Sequence, residues 1–313
     1  MSFQWVYARP DDEQAISVLQ QQLGISKKVA LLLALRGIDS YDRAKSYFRP
    51  NLNSVHDPFL MKDMDKATER LARAIRNRER VLVYGDYDVD GTTAASLLYL
   101  FLKEFGVTVD FYIPHRFKEG YGINPEGIRH ATDINADLIV SVDCGITAIK
   151  EARQARELGI DLIICDHHNV GDSIPDAAAV LDPKRGDCSY PFDGLSGAGV
   201  GFKLVQGTVK KLGLSKQVAF KFLDLVAISI ASDIVPMVDE NRVLMREGLK
   251  KINREPRVGL KALTDLINLP IGSISTSSIV FSIGPRINAA GRMGDASKAV
   301  RLLIAETPAE AKS

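Results

Sequence analysis

Short apolar runs alternate with helix-period segments through the middle of the chain. Residues 81–84, 107–113, 138–142, 160–165 and 178–181 each read as a strand. Residues 94–105, and a stretch ending at Leu158, repeat apolar positions at helical spacing. Strands that alternate with helices predict an α/β fold with a doubly wound parallel sheet. Uninterrupted apolar strands fit a sheet covered on both faces. The flanks read as helical. Leu31, Leu32, Leu35 and Ile38 recur at helical spacing, with Gly37 and Pro50 as punctuation. Residues 1–62 are therefore expected to form an N-terminal helical cap that ends near Asp57-Pro58. A helix at 64–78 buries Ala67, Leu71, Ala74 and Ile75; its opposite face, with Arg70, Arg73, Arg76, Arg78 and Arg80, reads as solvated. Further helices are expected at 200–211, 216–234, 242–252, 260–267 and 296–305, giving a helical C-terminal extension.

Composition narrows the class. A chain of 313 residues with 46% apolar and 25% charged residues is an ordinary globular protein. At about 100–200 residues per domain it holds roughly two domains. The longest aliphatic run, residues 29–35, is far short of the ~20 residues a bilayer span needs, so no membrane association is expected. The opening residues, MSFQWVYARPDDE, lack a basic segment followed by an apolar one, and so carry no secretory signal. Three cysteines, Cys144, Cys165 and Cys188, fit a reducing cytoplasm better than a disulfide framework. Forty basic residues against thirty-nine acidic ones leave a net charge of +1. Any basic surface for nucleic acid must then be local, offset by an acidic site elsewhere.

Such a site is visible. Ligands of open α/β sheets bind at the carboxyl ends of the strands. Gly85-Asp86-Tyr87-Asp88-Val89-Asp90-Gly91 follows the first strand, Asp143-Cys144-Gly145 the third, and Asp166-His167-His168 the fourth. Three strands thus deliver carboxylates to one edge, and one adds a histidine pair. Clustered carboxylates repel unless a cation lies between them. Mixed carboxylate and imidazole donors suit Mn²⁺, Mg²⁺, Fe²⁺ or Zn²⁺ better than Ca²⁺. About six donors suffice for two ions, the arrangement that favours in-line phosphoryl chemistry. An EF-hand is excluded, because Leu97 stands where that loop needs its twelfth-position Glu. A haloacid-dehalogenase-type aspartyl nucleophile is disfavoured, because Asp86 intervenes before Asp88. Adjacent histidines point to different sides; one readily ligates, and the other is placed to meet a substrate phosphate. Further along, Arg286, Asn288 and Arg292, in a loop framed by glycine and proline, suit phosphate clamping. Residues 242–261 hold seven basic residues against two acidic ones, either a track for a nucleic-acid backbone or a solvated face. Tyr121 and Phe117 are candidates for base stacking or loop packing. Gly197, Gly199 and Gly201 read as close packing or a tight loop, since no βαβ context surrounds them.

The stretches Tyr84–Thr93, Ser141–Gly145 and Asp166-His167-His168 resemble the first three motifs of the DHH phosphoesterase superfamily, and Ala231–Pro236 resembles the fourth. Gly284–Met293, Arg36-Gly37-Ile38, His56-Asp57-Pro58, residues 120–124 and residues 194–200 resemble its bacterial single-stranded-DNA exonucleases, so the likeness covers essentially the whole chain. The resemblance implies that Asp88 and Asp143 bind a first Mn²⁺ or Mg²⁺ ion, with Asp86 nearby. It implies that Asp90, Asp143, His167 and Asp233 bind a second, that His168 and Arg286 assist catalysis, and that Asp166 orients a histidine. His168, Arg286, Asn288, Arg292 and Tyr121 would contact substrate. Many members place a histidine ligand where this chain has Tyr84. The implied activity is 5′-to-3′ hydrolysis of single-stranded DNA in repair and recombination, with single-stranded-DNA-binding protein and a helicase as partners. The implied division is a cap at 1–62, a catalytic domain at 63–255, and a connector at 256–313 leading to an associated domain beyond the chain. Two alternatives stay open: a phosphatase or oligonucleotide phosphodiesterase for small substrates, and an inactive DNA-binding scaffold.

Overall fold

The computed structural model describes Gln4, Val6, Ala8 and residues 13–312; the rest of the predicted cap's opening lies outside the described residues. The chain divides into two compact units, Met1–Val55 and His56–Ser313. The first holds α1 (Gln14–Leu23), α2 (Lys27–Ala34) and α3 (Tyr41–Phe48), packed around Leu19, Ala30, Leu33 and Ala44.

The second unit begins with α4 (Met64–Asn77) and winds through β1 (Arg80–Tyr84), α5 (Val89–Glu104), β2 (Thr108–Tyr112), α6 (Pro125–Asp133), β3 (Leu138–Val142), α7 (Ile149–Glu157), β4 (Asp161–Cys165) and β5 (Ala179–Leu181). Helices follow: α8 (Gly197–Lys211), α9 (Gln217–Phe220), α10 (Leu223–Ser232), α11 (Asp239–Arg254), α12 (Val258–Leu266), α13 (Thr276–Ser278), α14 (Gly284–Arg292) and α15 (Ser297–Ile304). The strands form one parallel sheet in the order β2-β1-β3-β4-β5. This is the expected α/β architecture, a parallel sheet with helices on both faces. Leu82, Tyr84, Ile139, Leu162 and Ile164 pack with Ile128 and Ala131 of α6 and Ala152 and Ala155 of α7. Helices α4, α5 and α8 also pack on the sheet. The strand order reverses direction between β1 and β3, and a crevice opens at their carboxyl ends at such a switch point. Among the described residues no helix is long and apolar enough to cross a membrane.

Tyr84 occupies the place of the histidine common in the superfamily, and its side chain goes into the α6 face. The ring is fully buried, its hydroxyl donates to Gly122 O at 3.0 Å, and Gly127 of α6 lies directly against it. A Cβ at residue 127 would overlap that ring. Gly127→Ala is expected to destabilise the protein by about 1–3 kcal/mol, the usual cost of overpacking. A lowered urea midpoint with unchanged slope would show it; an unchanged midpoint would mean that Tyr84 moves freely.

Four local expectations are corrected. Helix α5 starts at Val89, not residue 94, because the Asp88 carboxylate caps it by accepting the Gly91 N–H at 3.0 Å. The expected helix at 216–234 is two helices, α9 and α10. The expected loop around Arg286–Arg292 is helix α14, preceded by a π-helical turn at Ile279–Ile283. Pro285 sits in its first turn, where no backbone N–H is needed, so proline marks a helix start. Arg70 is buried and pairs with Glu79 and Asp161, tying α4 to β4, so the arginine face of α4 is only partly solvated. In the basic 242–261 run, Arg257 forks onto the buried Asp224 at 2.7 Å on both contacts, and Lys250 and Lys261 pair with Glu247 and Asp265. That run is largely committed within the fold.

Candidate metal centre

Seven ligand-type side chains converge at the β1/β3 crevice. Their donor atoms form three groups, each within 4.8 Å: Asp86, Asp88 and Asp143; Asp90, His167 and Asp233; Asp143, His167 and His168. Asp86 and Asp88 leave the end of β1, Asp143 the end of β3, and the histidines the end of β4. Asp90 lies in the first turn of α5, and Asp233 caps the carboxyl end of α10. Asp143 has φ 62°, a left-handed conformation that a non-glycine residue adopts under constraint. Its N–H continues the sheet to Cys165 O at 2.9 Å.

The electrostatics suit a bound cation. Burial, then the neighbouring Asp90, Asp88 and Asp86, raise the Asp143 carboxyl well above its ordinary value. Burial and Asp88 push Asp86 up to about 7. Burial, Asp90 and Asp88 do the same to Asp233. Asp86 Oδ1 is buried with no hydrogen-bond partner. A buried, orphaned carboxylate oxygen beside Asp88 and Asp143 fits a divalent cation, so the residues present suit the metal the motifs imply. His167 Nε2 lies 3.1 Å from Asp143 Oδ1, 3.7 Å from Asp90 Oδ2 and 3.8 Å from Asp233 Oδ2. Burial lowers its pKa and so favours the neutral form that ligates.

Asp90 is held by neighbours that the sequence pattern did not reveal. Its oxygens accept the Gly197 and Ala198 N–H groups of α8 at 2.7 and 2.8 Å, and the Ser229 hydroxyl of α10 at 2.7 Å. A helix amino terminus stabilises a carboxylate, and about one of the four lone-pair sites remains for a cation. Gly197 is required here, since a Cβ would stand 2.5 Å from Asp143 Oδ1. The glycine run at 197–201 is thus close packing at the start of a helix. A serine flanked by isoleucines in the apolar run of α10 was the available signal for Ser229.

Asp166 orients the histidine loop. It accepts the N–H groups of Ile146 (2.8 Å), His167 (2.8 Å) and His168 (3.2 Å), and faces His168 Nδ1 at 2.7 Å. Burial works against its charge, but these bonds keep its pKa below the ordinary value. The same contact raises the pKa of His168, whose side chain stays 44% exposed and open to a ligand.

The basic residues lie on α14. Gly291 packs against the Tyr87 carbonyl and Gly284 against the Ser232 hydroxyl, so the helix reaches from the β1–α5 loop to the end of α10. Asn288 lies between them on the same helix face, and its Oδ1, like Ser232 Oγ, is buried without a partner. Arg286 and Arg292 are exposed, and Arg286 donates to Ser282 O at 2.8 Å. Tyr121 enters through its hydroxyl, against Asp143 O and His168. Phe117 is 71% exposed. Arg116, given no role from the sequence, stacks 4.9 Å above the Tyr87 ring, and its charge offsets a small part of the rise that burial and Asp88 impose on Asp86. Its signal was a charge just past β2, at the same sheet edge.

Residues 80–230 match the DHH family, N-terminal domain. The chain is 42% identical to the single-stranded-DNA-specific exonuclease RecJ of Bacillus subtilis (strain 168) over 98% of its own length and 38% of that protein's. A crystal structure of exonuclease RecJ bound to manganese superposes with TM-score 0.73 and 36% identity, over 80% of this chain and 63% of that one. The Thermus thermophilus RecJ in complex with Mn²⁺ gives TM-score 0.82 and 30% identity, over 97% of this chain and 43% of that one. The chain thus spans less than half the length of the curated B. subtilis relative. With four motifs gathered at one crevice and a RecJ-like fold throughout, the chain belongs to the DHH family.

Proposed function

We propose that this chain carries the catalytic centre of a metal-dependent exonuclease that degrades single-stranded DNA from 5′ to 3′ in repair and recombination. The observation that carries the reading is the crevice itself. Three overlapping donor groups share Asp143 and His167 and leave a buried oxygen of Asp86 unpaired. Similarity to a single-stranded-DNA-specific exonuclease supports the substrate class; the 5′-to-3′ polarity rests on the motif resemblance. Two Mn²⁺ or Mg²⁺ ions, bound by Asp86, Asp88 and Asp143 and by Asp90, Asp143, His167 and Asp233, would supply an activated water and offset charge on the phosphate. Asp143, common to two groups, ties them together. His168, held by Asp166, presents a ring to the scissile phosphate as a donor. Arg286 and Arg292 offer guanidinium forks to phosphate oxygens, and Asn288 an amide. A cytoplasmic setting, and single-stranded-DNA-binding protein and a helicase as partners, belong to the same proposal. The domain division at 62/63 and 255/256 does too.

The small-substrate and scaffold readings yield different results in one assay. A 5′-phosphorylated, labelled oligonucleotide is incubated with Mn²⁺, single-stranded or annealed as a blunt duplex, beside a dinucleotide. Cleavage of the single strand is expected to exceed that of the duplex by roughly tenfold or more, because extracting a paired base costs a few kcal/mol. Excess EDTA should abolish it. Equal rates on both forms, or hydrolysis of the dinucleotide alone, would overturn the exonuclease reading. DNA binding without hydrolysis would favour a scaffold.

A further inference from the structure

Residues 119–122 form a tight loop whose one aromatic side chain has two faces. The Tyr121 residue is 48% exposed, yet its hydroxyl turns inward. The loop is fixed from both sides. Gly120 and Gly122 adopt left-handed φ values of 80° and 92°, and Gly122 O accepts the hydroxyl of the buried Tyr84 at 3.0 Å. Glu119 accepts the Tyr112 hydroxyl at 2.5 Å and the His115 N–H at 3.0 Å. From this frame Tyr121 Oη donates to the backbone carbonyl of Asp143 at 3.0 Å. It also lies 2.9 Å from Nδ1 and 3.5 Å from Nε2 of His168. His168 Nδ1 therefore faces two oxygens, Asp166 Oδ1 at 2.7 Å and this phenol.

One hydroxyl thus touches residues delivered by two strands. The Asp143 peptide is pinned at its N–H by Cys165 O and at its C=O by Tyr121. Between the pins the residue holds φ 62°, a conformation that persists only where surrounding contacts enforce it. We propose that Tyr121 is a positioning residue: its hydroxyl locks the Asp143 peptide, and with it the carboxylate shared by two donor groups, in register with the His168 ring. The proposal rests on the exonuclease reading for its chemistry, and it moves the role of Tyr121 from the ring to the hydroxyl. A phenol is protonated at neutral pH, hence a donor.

Tyr121→Phe separates the two roles, since it keeps the ring and removes the hydroxyl. Three measurements are made on the full chain: Mn²⁺ binding by calorimetry, the urea unfolding midpoint, and Mn²⁺-dependent hydrolysis of bis(p-nitrophenyl) phosphate and of a single-stranded oligonucleotide. Misplacing catalytic groups by about 1 Å costs up to 10²-fold. Tyr121→Phe should therefore lower kcat on both substrates by about 10- to 100-fold. KM for the oligonucleotide and the urea midpoint should stay close to wild type, and Mn²⁺ should bind severalfold more weakly. Wild-type Mn²⁺ affinity and kcat in Tyr121→Phe would overturn the proposal. So would a raised KM for the oligonucleotide in Tyr121→Ala with Tyr121→Phe unaffected, the pattern of a stacking ring. If the wild-type chain hydrolyses neither substrate, the exonuclease reading fails, and the calorimetry alone decides the positioning role.

Discussion

Asp143→Asn is expected to abolish hydrolysis, by roughly 10³-fold or more, while the metal-free protein stays as stable as wild type or gains stability. Asp143 shares two of the three donor groups, with Asp86 and Asp88 on one side and His167 and His168 on the other. Removing its charge therefore weakens both cation positions together. The stability arm has the opposite sign. The carboxyl is buried among like charges that raise its pKa, so the neutral amide relieves repulsion in the absence of metal. Asparagine is the right replacement because it tolerates left-handed backbone, which Asp143 adopts at φ 62°. Thermal melts with and without Mn²⁺ read this directly. A ligand at a hundred times its Kd stabilises by about 2.7 kcal/mol. The wild-type chain should gain a shift of that order, and Asp143→Asn should gain much less. Activity within tenfold of wild type in excess Mn²⁺ would remove Asp143 from the bridging role.

His168→Ala should lower kcat by about 10²- to 10⁴-fold, the span of general acid–base contributions, with Mn²⁺ affinity changed far less than in Asp143→Asn. The reason is positional. His167 is buried, with Nε2 facing three carboxylates, whereas His168 keeps 44% of its side chain exposed and faces outward from Asp166. On the proposed reading His167 ligates, while His168, although its ring nitrogen also groups with Asp143 and His167, meets the substrate. His167→Ala should accordingly show the reverse balance, a large loss of Mn²⁺ affinity. Calorimetry on both variants, beside single-turnover cleavage, separates them. Equal losses of metal affinity would mean that the two imidazoles ligate alike.

The sheet and most of the acidic centre were legible in the chain before any coordinates. Apolar runs at 81–84, 138–142 and 160–165 read as strands buried on both faces, and such strands in a βα alternation leave their carboxyl ends at one edge. Whatever polar residues follow them must meet there, so Asp86, Asp88, Asp143, His167 and His168 were placed by periodicity alone. Asp233 was not, because an acid at the end of an apolar helix reads equally as a cap; only packing of α10 beside α5 brings it within 3.8 Å of His167. The backbone amides of Gly197 and Ala198 that hold Asp90, the conversion of a glycine- and proline-framed stretch into helix α14, and the inward turn of the Tyr121 hydroxyl were likewise decided by tertiary structure. Each depends on which backbone carbonyl, amide or glycine surface lies across the contact. Local sequence encodes period and capping, which act over a few residues. It does not encode the distant partner, such as Gly197 for Asp90, that satisfies a buried polar atom, and at this crevice those partners fix the geometry of the site.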